Sequence, residues 1–207
     1  MRPPSCLCDA SALVVIDAST AINLNATGVA AEILRAIPHR VVLPEAVLSE
    51  LQNGTSKGRN DREKTGQLIS ARLISVAELE EVGWRHFETL VVGETIATLD
   101  DGEAATIAHA LEAMGVAVID ERKARRICEQ QFPDLQLAAT MDILSHPDVE
   151  RALGQEVVSG AVFNALQNAR MRVTSSYLPW VVELIGESRA TLCKSLPRVV
   201  RRSATSG

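Results

Sequence analysis

Two short apolar runs, Leu13–Ile16 (LVVI) and Val116–Ile119 (VAVI), each run directly into an aspartate, Asp17 and Asp120. A four-residue apolar run rich in β-branched residues, without polar alternation, is the pattern of a strand buried on both faces. Such strands belong to parallel sheets covered by helices, and ligands bind such sheets beyond the carboxyl ends of their strands. Each aspartate therefore stands where an α/β protein keeps its chemistry. The expected fold is α/β, a parallel central sheet flanked by helices on both faces, with extra helices at the C-terminal end.

The rest of the chain fits that alternation. Asp17 is followed by Ser19 and Thr20, either of which can cap a helix, and Val29–Ile37 continues helical. Val41–Leu43 predicts a second strand. Pro44 suits the first turn of a helix reaching Asn53 and stopped by Gly54. Residues 53–67 (NGTSKGRNDREKTGQ) read as a mobile polar loop, Leu73–Val76 as a third strand, and Glu78–Leu90 as a helix. LDDGEAATIAHALEAMG is the clearest helix, capped by Asp100 or Asp101 and ended by Gly115. Glu121–Gln131 predicts another helix and Leu135–Ala138 a short strand. Helices follow, best marked at Val157–Ala169 and Pro179–Ala190. A length of 207 residues suits one α/β unit over residues 12–145, a helical extension over 146–192 packed on it, and loose ends at 1–11 and 193–207.

Composition removes several functional classes. Aromatic residues are 3%, too few for a protein that reads nucleic acid by stacking bases. The net charge of −5 disfavours a protein that coats DNA by bulk charge. That charge is uneven, with nine basic and seventeen acidic side chains up to residue 120, then twelve basic and nine acidic. An acidic front and a basic rear fit a carboxylate metal site beside an anion-holding surface, although ordinary surface variation gives the same count. Cys6, Cys8, Cys128 and Cys193 form no C-x-x-C pair and no disulfide framework. No apolar run is long enough to span a membrane, and MRPPSCLCDA lacks the apolar segment of a secretory signal, so the expected location is the cytoplasm.

Two further acids join the strand-terminal pair. On a helical wheel Glu103 shares the apolar stripe of Ile107, Leu111 and Met114, at its N-terminal end, whereas His109 and Glu112 fall on the solvated face. An inward carboxylate must be paired or hold a metal, unless it closes a capping box with Asp100. Glu50 borders the stripe of Val47, Leu48 and Leu51; Glu45 reads as a helix-dipole acid. If Asp17, Glu50, Glu103 and Asp120 converge, each pair ~4 Å apart repels by about 4 kcal/mol at an effective dielectric of ~20. Four cannot stay ionised without a cation, and an all-oxygen set selects Mg²⁺ or Mn²⁺ over zinc.

The segments VVIDASTAINL (14–24), LPEAVLSEL (43–51), DDGEAATIAHAL (100–111) and VAVIDERKAR (116–125) occur in an order that resembles PIN-domain proteins, the metal-dependent ribonuclease fold found in VapC-type toxins. Each motif is short; four in order with sensible spacing carry the resemblance. It implies a Mg²⁺- or Mn²⁺-dependent endoribonuclease acting on RNA, plausibly the toxin of a toxin–antitoxin pair with an antitoxin partner and a homodimeric state. Asp17, Glu50, Glu103 and Asp120 resemble the family's four acids in order, with Asp17, Glu103 and Asp120 as metal ligands. Ser19 resembles the small hydroxyl that supports the first acid, and Thr140 a hydroxyl near the metal. The chain departs from the pattern at Arg122, where many PIN domains carry a further acid, which argues against a second tightly held metal.

In Glu121–Gln131 the inward stripe is Ala124, Ile127 and Cys128, leaving Arg122 and Arg125 as candidates for phosphate contact, with a solvated face as the even alternative. Lys57, Arg59, Arg62 and Lys64 suit RNA or simply a soluble loop. The small-residue stripe from Val157 to Ala169 reads as core, or more sharply as a dimer or antitoxin surface. Two other classes compete: a PIN module that binds RNA or a protein without cutting, and an aspartyl-phosphate phosphatase built on VVIDAST. The phosphatase wants a second aspartate where Ser19 stands.

Overall fold

The computed structural model describes Pro3 and residues 6–55, 60–92 and 98–198, with backbone only for 53–55. Five parallel strands form one sheet: β1 (Val14–Ile16), β2 (Val41–Pro44), β3 (Ser75–Ala77), β4 (Val116–Val118) and β5 (Gln136–Ala138), in the order β3-β2-β1-β4-β5. Val14 is paired with Val41 on one side and Val116 on the other, so β1 is the centre and the order reverses there. The crevice beyond the ends of β1 and β4 is the switch point of the sheet.

Strand periodicity divides the core in two. Val14, Ile16, Leu43, Val116 and Val118 face one apolar cluster, while Val15, Ala117 and Ile119 face the other. On the first face lie α1 (Ala18–Thr27), α2 (Ala30–Ala36), α3 (Glu45–Thr55) and α4 (Asp61–Ser70). The second face carries α5 (Glu81–Val91), α6 (Asp101–Glu112) and α7 (Arg122–Gln131). The alanines of α6, four of which are essentially fully buried (Ala104, Ala105, Ala108, Ala110), let that helix lie close to the sheet.

Beyond β5 come α8 (Thr140–Leu144), α9 (Pro147–Leu153) and α10 (Gln155–Asn164), a π-helical turn (Ala165–Ala169), then α11 (Leu178–Ile185) and α12 (Glu187–Leu192). Val149, Val162, Leu166, Val181 and Ile185 belong to the same buried cluster as β1 and β2. The Val157–Ala169 stripe is accordingly spent inside the chain, with Val158, Ala161, Val162, Ala165 and Leu166 buried and Val157 exposed. The ends are partly tied down: Leu7, Cys193 and Leu196 are buried, and the Cys6 N–H donates to Asp142 at 2.8 Å. Residues 199–207 lie outside the described set.

Several local expectations change. The N-cap of α1 is Asp17 itself, which accepts the Thr20 N–H, rather than Ser19 or Thr20. Pro44 ends a strand instead of opening a helix, and α3 continues through Gly54 to Thr55. Half of the polar 53–67 segment is α4, because Asp61 and Glu63 favour a helix N-terminus and Thr65 and Leu68 find a buried face. Lys57 and Arg59 lie outside the described residues. The Pro179–Ala190 helix is broken at Gly186, whose φ of 80° no other residue adopts cheaply.

At the end of α6 the left-handed residue is Met114 (φ 50°), which is 92% exposed and off the apolar stripe. Gly115 serves another purpose: a Cβ there would lie 2.6 Å from the Leu13 carbonyl oxygen. Glu112 is not a solvated acid. Its carboxylate accepts the N–H groups of Gly83 (2.8 Å) and Glu80 (3.2 Å), serving the free N-terminal amides of α5.

Candidate active site

Asp17 leaves the end of β1 with extended backbone, and its side chain turns back over the start of α1. Oδ1 accepts the Thr20 N–H at 2.7 Å, and the Ser19 hydroxyl reaches Oδ1 and Oδ2 at 3.0 and 2.8 Å. Asp17 is 2% exposed; Ser19 is exposed and stands between it and solvent. Asp120, at the end of β4 and 8% exposed, accepts three bonds: the Thr140 N–H (2.9 Å), the Thr140 hydroxyl (2.6 Å) and the Asn23 amide (2.8 Å). Thr140 is wholly buried at the start of α8, so the end of β5 supports the end of β4. The Thr20 hydroxyl closes the group by donating to the Val118 carbonyl at 3.3 Å.

Ser19, Asn23, Glu103 and Asp120 line one open cavity of about 360 Å³, together with Asp100 and Glu121. Its far wall comes from the segment after the π-helical turn, including Arg170 and Arg172. Asp100 is the N-cap of α6, yet its side chain makes no capping bond, so the capping-box explanation for Glu103 lacks its first half. Glu50 stays at the margin. It is exposed as a residue, but its carboxylate is tucked against the backbone of Gly102, where any Cβ would run into Oε2.

Electrostatics ties these acids together. Burial pushes the Glu103 carboxyl up to about 7, with the charges of Asp17, Asp100, Glu121 and Glu50 adding. Burial and then Asp17 raise Asp120 to about 6, against the bonds from Thr140 and the charge of Arg125. Asp17 is raised as well, by burial that outweighs its bonds to Thr20 and Ser19, with Glu50 contributing. Glu50 is raised by burial, then by Asp100 and Asp101. Each acid holds its proton more tightly because it is buried, and the charge of a nearby acid adds to that effect. Among the described residues, however, no three metal-binding side chains are close enough to form a finished cage.

The remaining candidates sit next door. Arg122 and Arg125 line an adjoining cavity that also includes Asp120. Arg125 is fixed, its Nη1 donating to the carbonyls of Ile119 (3.0 Å) and Ala138 (2.9 Å) at the ends of β4 and β5. Ala124, Ile127 and Cys128 are buried in the second core cluster, as the helical stripe predicts. The sequence did not single out Asn23, Glu121, Arg170 or Arg172, and weighed Asp100 only as a cap. Asn23 had a legible signal, an amide inside the apolar run of α1, where burial requires a partner. Arg170 and Arg172 had none, because only the tertiary path of the chain brings them back.

A family model described as a PIN domain matches residues 13–187. The chain belongs to the PIN-domain family, whose fold is of nuclease type and whose members typically work with divalent metal ions. The match spans the sheet, the acids and the helices that follow, α9 to α11 included. No curated protein and no solved structure matches the chain. No helix among the described residues is long and apolar enough to cross a membrane.

Proposed function

We propose that this protein is a divalent-metal-dependent endoribonuclease that hydrolyses RNA phosphodiesters. The observation that carries the reading is the cavity shared by Glu103 and Asp120, with Ser19, the hydroxyl that holds Asp17, on its wall; burial raises all three carboxyls and nearby acids add to it. The donor set fits a hard cation: it is all oxygen, and its repulsion is relieved by positive charge. Asp17, Glu103 and Asp120 would hold Mg²⁺ or Mn²⁺, ions that keep several waters of their own and need no closed protein cage. When bound, the ion supplies a nucleophile at neutral pH and neutralises charge on the phosphate.

The chain's own groups divide the remaining work. Thr140 and Asn23 fix the Asp120 carboxylate from three directions, so it is held in one orientation with little freedom to lose on binding. The cation that Asp120 would help to hold favours its ionised form, and a carboxylate oxygen so oriented can take up a proton from the attacking water. Ser19 holds Asp17 in register with the cavity. Glu103, pushed up to about 7 chiefly by burial, holds its proton more tightly than an ordinary carboxyl and would give it up to a bound cation. Glu50 adds negative charge from the margin, raising Asp17 and Glu103 further.

The test is cleavage of a labelled RNA with Mn²⁺, comparing wild type with Asp17→Asn. Turnover by wild type, lost in the variant and in chelator, supports the reading. No cleavage of any RNA together with no heat of metal binding favours the silent module instead. The open spacing of the acids is the one observation on that side. Within the nuclease reading the protein acts as a toxin, pairs with a second copy and is restrained by an antitoxin protein. Expression of the chain alone then arrests growth, expression of Asp17→Asn does not, and light scattering gives twice the chain mass.

A further inference from the structure

Two cavities of opposite charge meet at Asp120 and Arg172. The acidic one has four carboxylates (Asp100, Glu103, Asp120, Glu121) against two arginines. Its neighbour, about 570 Å³ between α7 and the C-terminal segment, has four arginines (Arg122, Arg125, Arg126, Arg172) against Asp120 and Glu129. On the other side of β1, at the start of α6 and on α3, stand Asp100, Asp101 and Glu50, close enough that the two aspartates add to the burial that raises Glu50. A polyanion is therefore attracted from one side of the acids and repelled from the other.

We infer that the groove between α7 and the C-terminal segment seats the RNA backbone on one side of the scissile bond only. The inference rests on the ribonuclease reading and names how that site receives its substrate. Arg125 is fixed by two strand-end carbonyls, so its guanidinium is pre-organised for an anion. Arg172 pairs with Glu121 at the wall shared by the two cavities, and a phosphate can take over that partner. Thr174, Ser175 and Ser195 add hydroxyl donors to the lining. Among the described residues no aromatic side chain lines the groove, so they offer the bases nothing to stack on there. Recognition in this groove is carried by phosphates; it tolerates any sequence and weakens with salt. The C-terminal segment, remote in sequence from the acids, thus supplies one bank of the substrate path.

The test uses the full chain and a fluorescent 12-mer RNA, with binding read by anisotropy in chelator, where nothing is cut. Arg126→Gln and Arg172→Gln should each weaken binding about 3- to 10-fold and flatten the log–log salt slope by roughly 0.7. Arg151→Gln, on α9 and outside the groove, should change neither. Neutral methylphosphonate linkages on one side of the cleavage position should weaken binding, and on the other side should not. Groove variants that bind as tightly as wild type, or equal losses from both sides of the RNA, would overturn the inference. If Mn²⁺-dependent cleavage persists in that case, the nuclease reading stands and the groove alone falls. If the groove variants lose binding but wild type never cleaves, the groove stands and the catalytic reading falls. Wild type that does not bind RNA at low salt overturns both.

Discussion

Two buried aspartates, Asp120 and Asp142, differ in what surrounds them rather than in how well they are hydrogen-bonded. Asp120 accepts from the Thr140 N–H, the Thr140 hydroxyl and the Asn23 amide. Asp142 accepts from the Cys6 N–H, the Tyr177 hydroxyl and the Ala139 N–H, each at 2.8 Å. They are 8% and 4% exposed. What separates them is position. Asp120 ends a strand, opens onto two cavities and feels the charge of Asp17. Asp142 lies in the first turn of α8, where it ties the N-terminal segment and Tyr177 to the start of that helix. Hydrogen-bond satisfaction alone does not mark a reactive carboxylate; a like charge nearby and an opening to solvent do.

The largest effect should come from making Asp120 an amide. Asp120→Asn keeps the shape and removes the charge. Cleavage should fall on the order of 10²- to 10⁴-fold, the usual scale for losing a positioned proton acceptor. Folding stability at pH 8 without metal should change little, because removing a poorly solvated, repelled charge offsets the hydrogen bonds that the second carboxylate oxygen accepted. If cleavage survives Asp120→Asn, the division between the two aspartates is lost. The converse experiment is Asp142→Ala, which strands three donors. It should cost roughly 2–4 kcal/mol of stability, read as a drop in Tm of roughly 5–15 °C. Its residual folded fraction should still take up Mn²⁺ in calorimetry.

This comparison also explains what the sequence could and could not disclose. LVVI-Asp17 and VAVI-Asp120 were readable because a run buried on both faces has no polar positions, and its end is fixed by the first charge. The sheet, its parallel sense and the inward placement of Glu103 follow from period alone. Thr140 was placed by its resemblance to a family position; its three-way contact with Asp120 and Asn23 needs the ends of β1, β4 and β5 side by side. Nothing in the sequence marks Asp142, since its partners Cys6 and Tyr177 are 136 and 35 residues away. Caps were the weakest readings. Asp17, Ser19 and Thr20 are all good N-caps, and only the backbone conformation decides among them. The basic groove was half visible, with Arg122 and Arg125 in one helix and Arg172 returning from beyond the π-helical turn.

A third effect is linkage between protons, metal and stability. Glu103 and Asp120 rise from ordinary values of 4.5 and 3.8 to about 7 and about 6 on folding. The folded protein therefore binds these protons more tightly than the unfolded chain. Their contribution is greatest below about pH 4 and is lost as pH rises through 6 and 7. Without metal, Tm should increase as pH falls from 8 to about 5.5, with Asp120 contributing on the order of 1–3 kcal/mol. Saturating Mn²⁺ should raise Tm more at pH 8 than at pH 6, because the ligands must first lose their protons. Asp120→Asn should flatten the metal-free trend. A Tm that falls on acidification over this range in metal-free buffer would contradict the burial and repulsion that raise Glu103 and Asp120.

The smallest effect should come from Thr140→Val, which conserves shape and deletes one hydroxyl. Asp120 then loses its shortest bond, that from the Thr140 hydroxyl at 2.6 Å, and keeps those from the Thr140 N–H and Asn23. Asn23 loses its second acceptor, the same hydroxyl at 3.2 Å. Because the lost bond favours the ionised carboxylate, the Asp120 carboxyl should move up from about 6. The acidic limb of the pH–rate profile for kcat/KM should shift upward by a fraction of a pH unit. Stability should fall by about 1 kcal/mol, measured by urea unfolding with an unchanged m-value. Thr140→Ser restores the hydroxyl and should restore the pH limb while leaving a small packing loss. If Thr140→Ser and Thr140→Val shift the limb equally, the hydroxyl is not what positions Asp120, and its two remaining donors suffice.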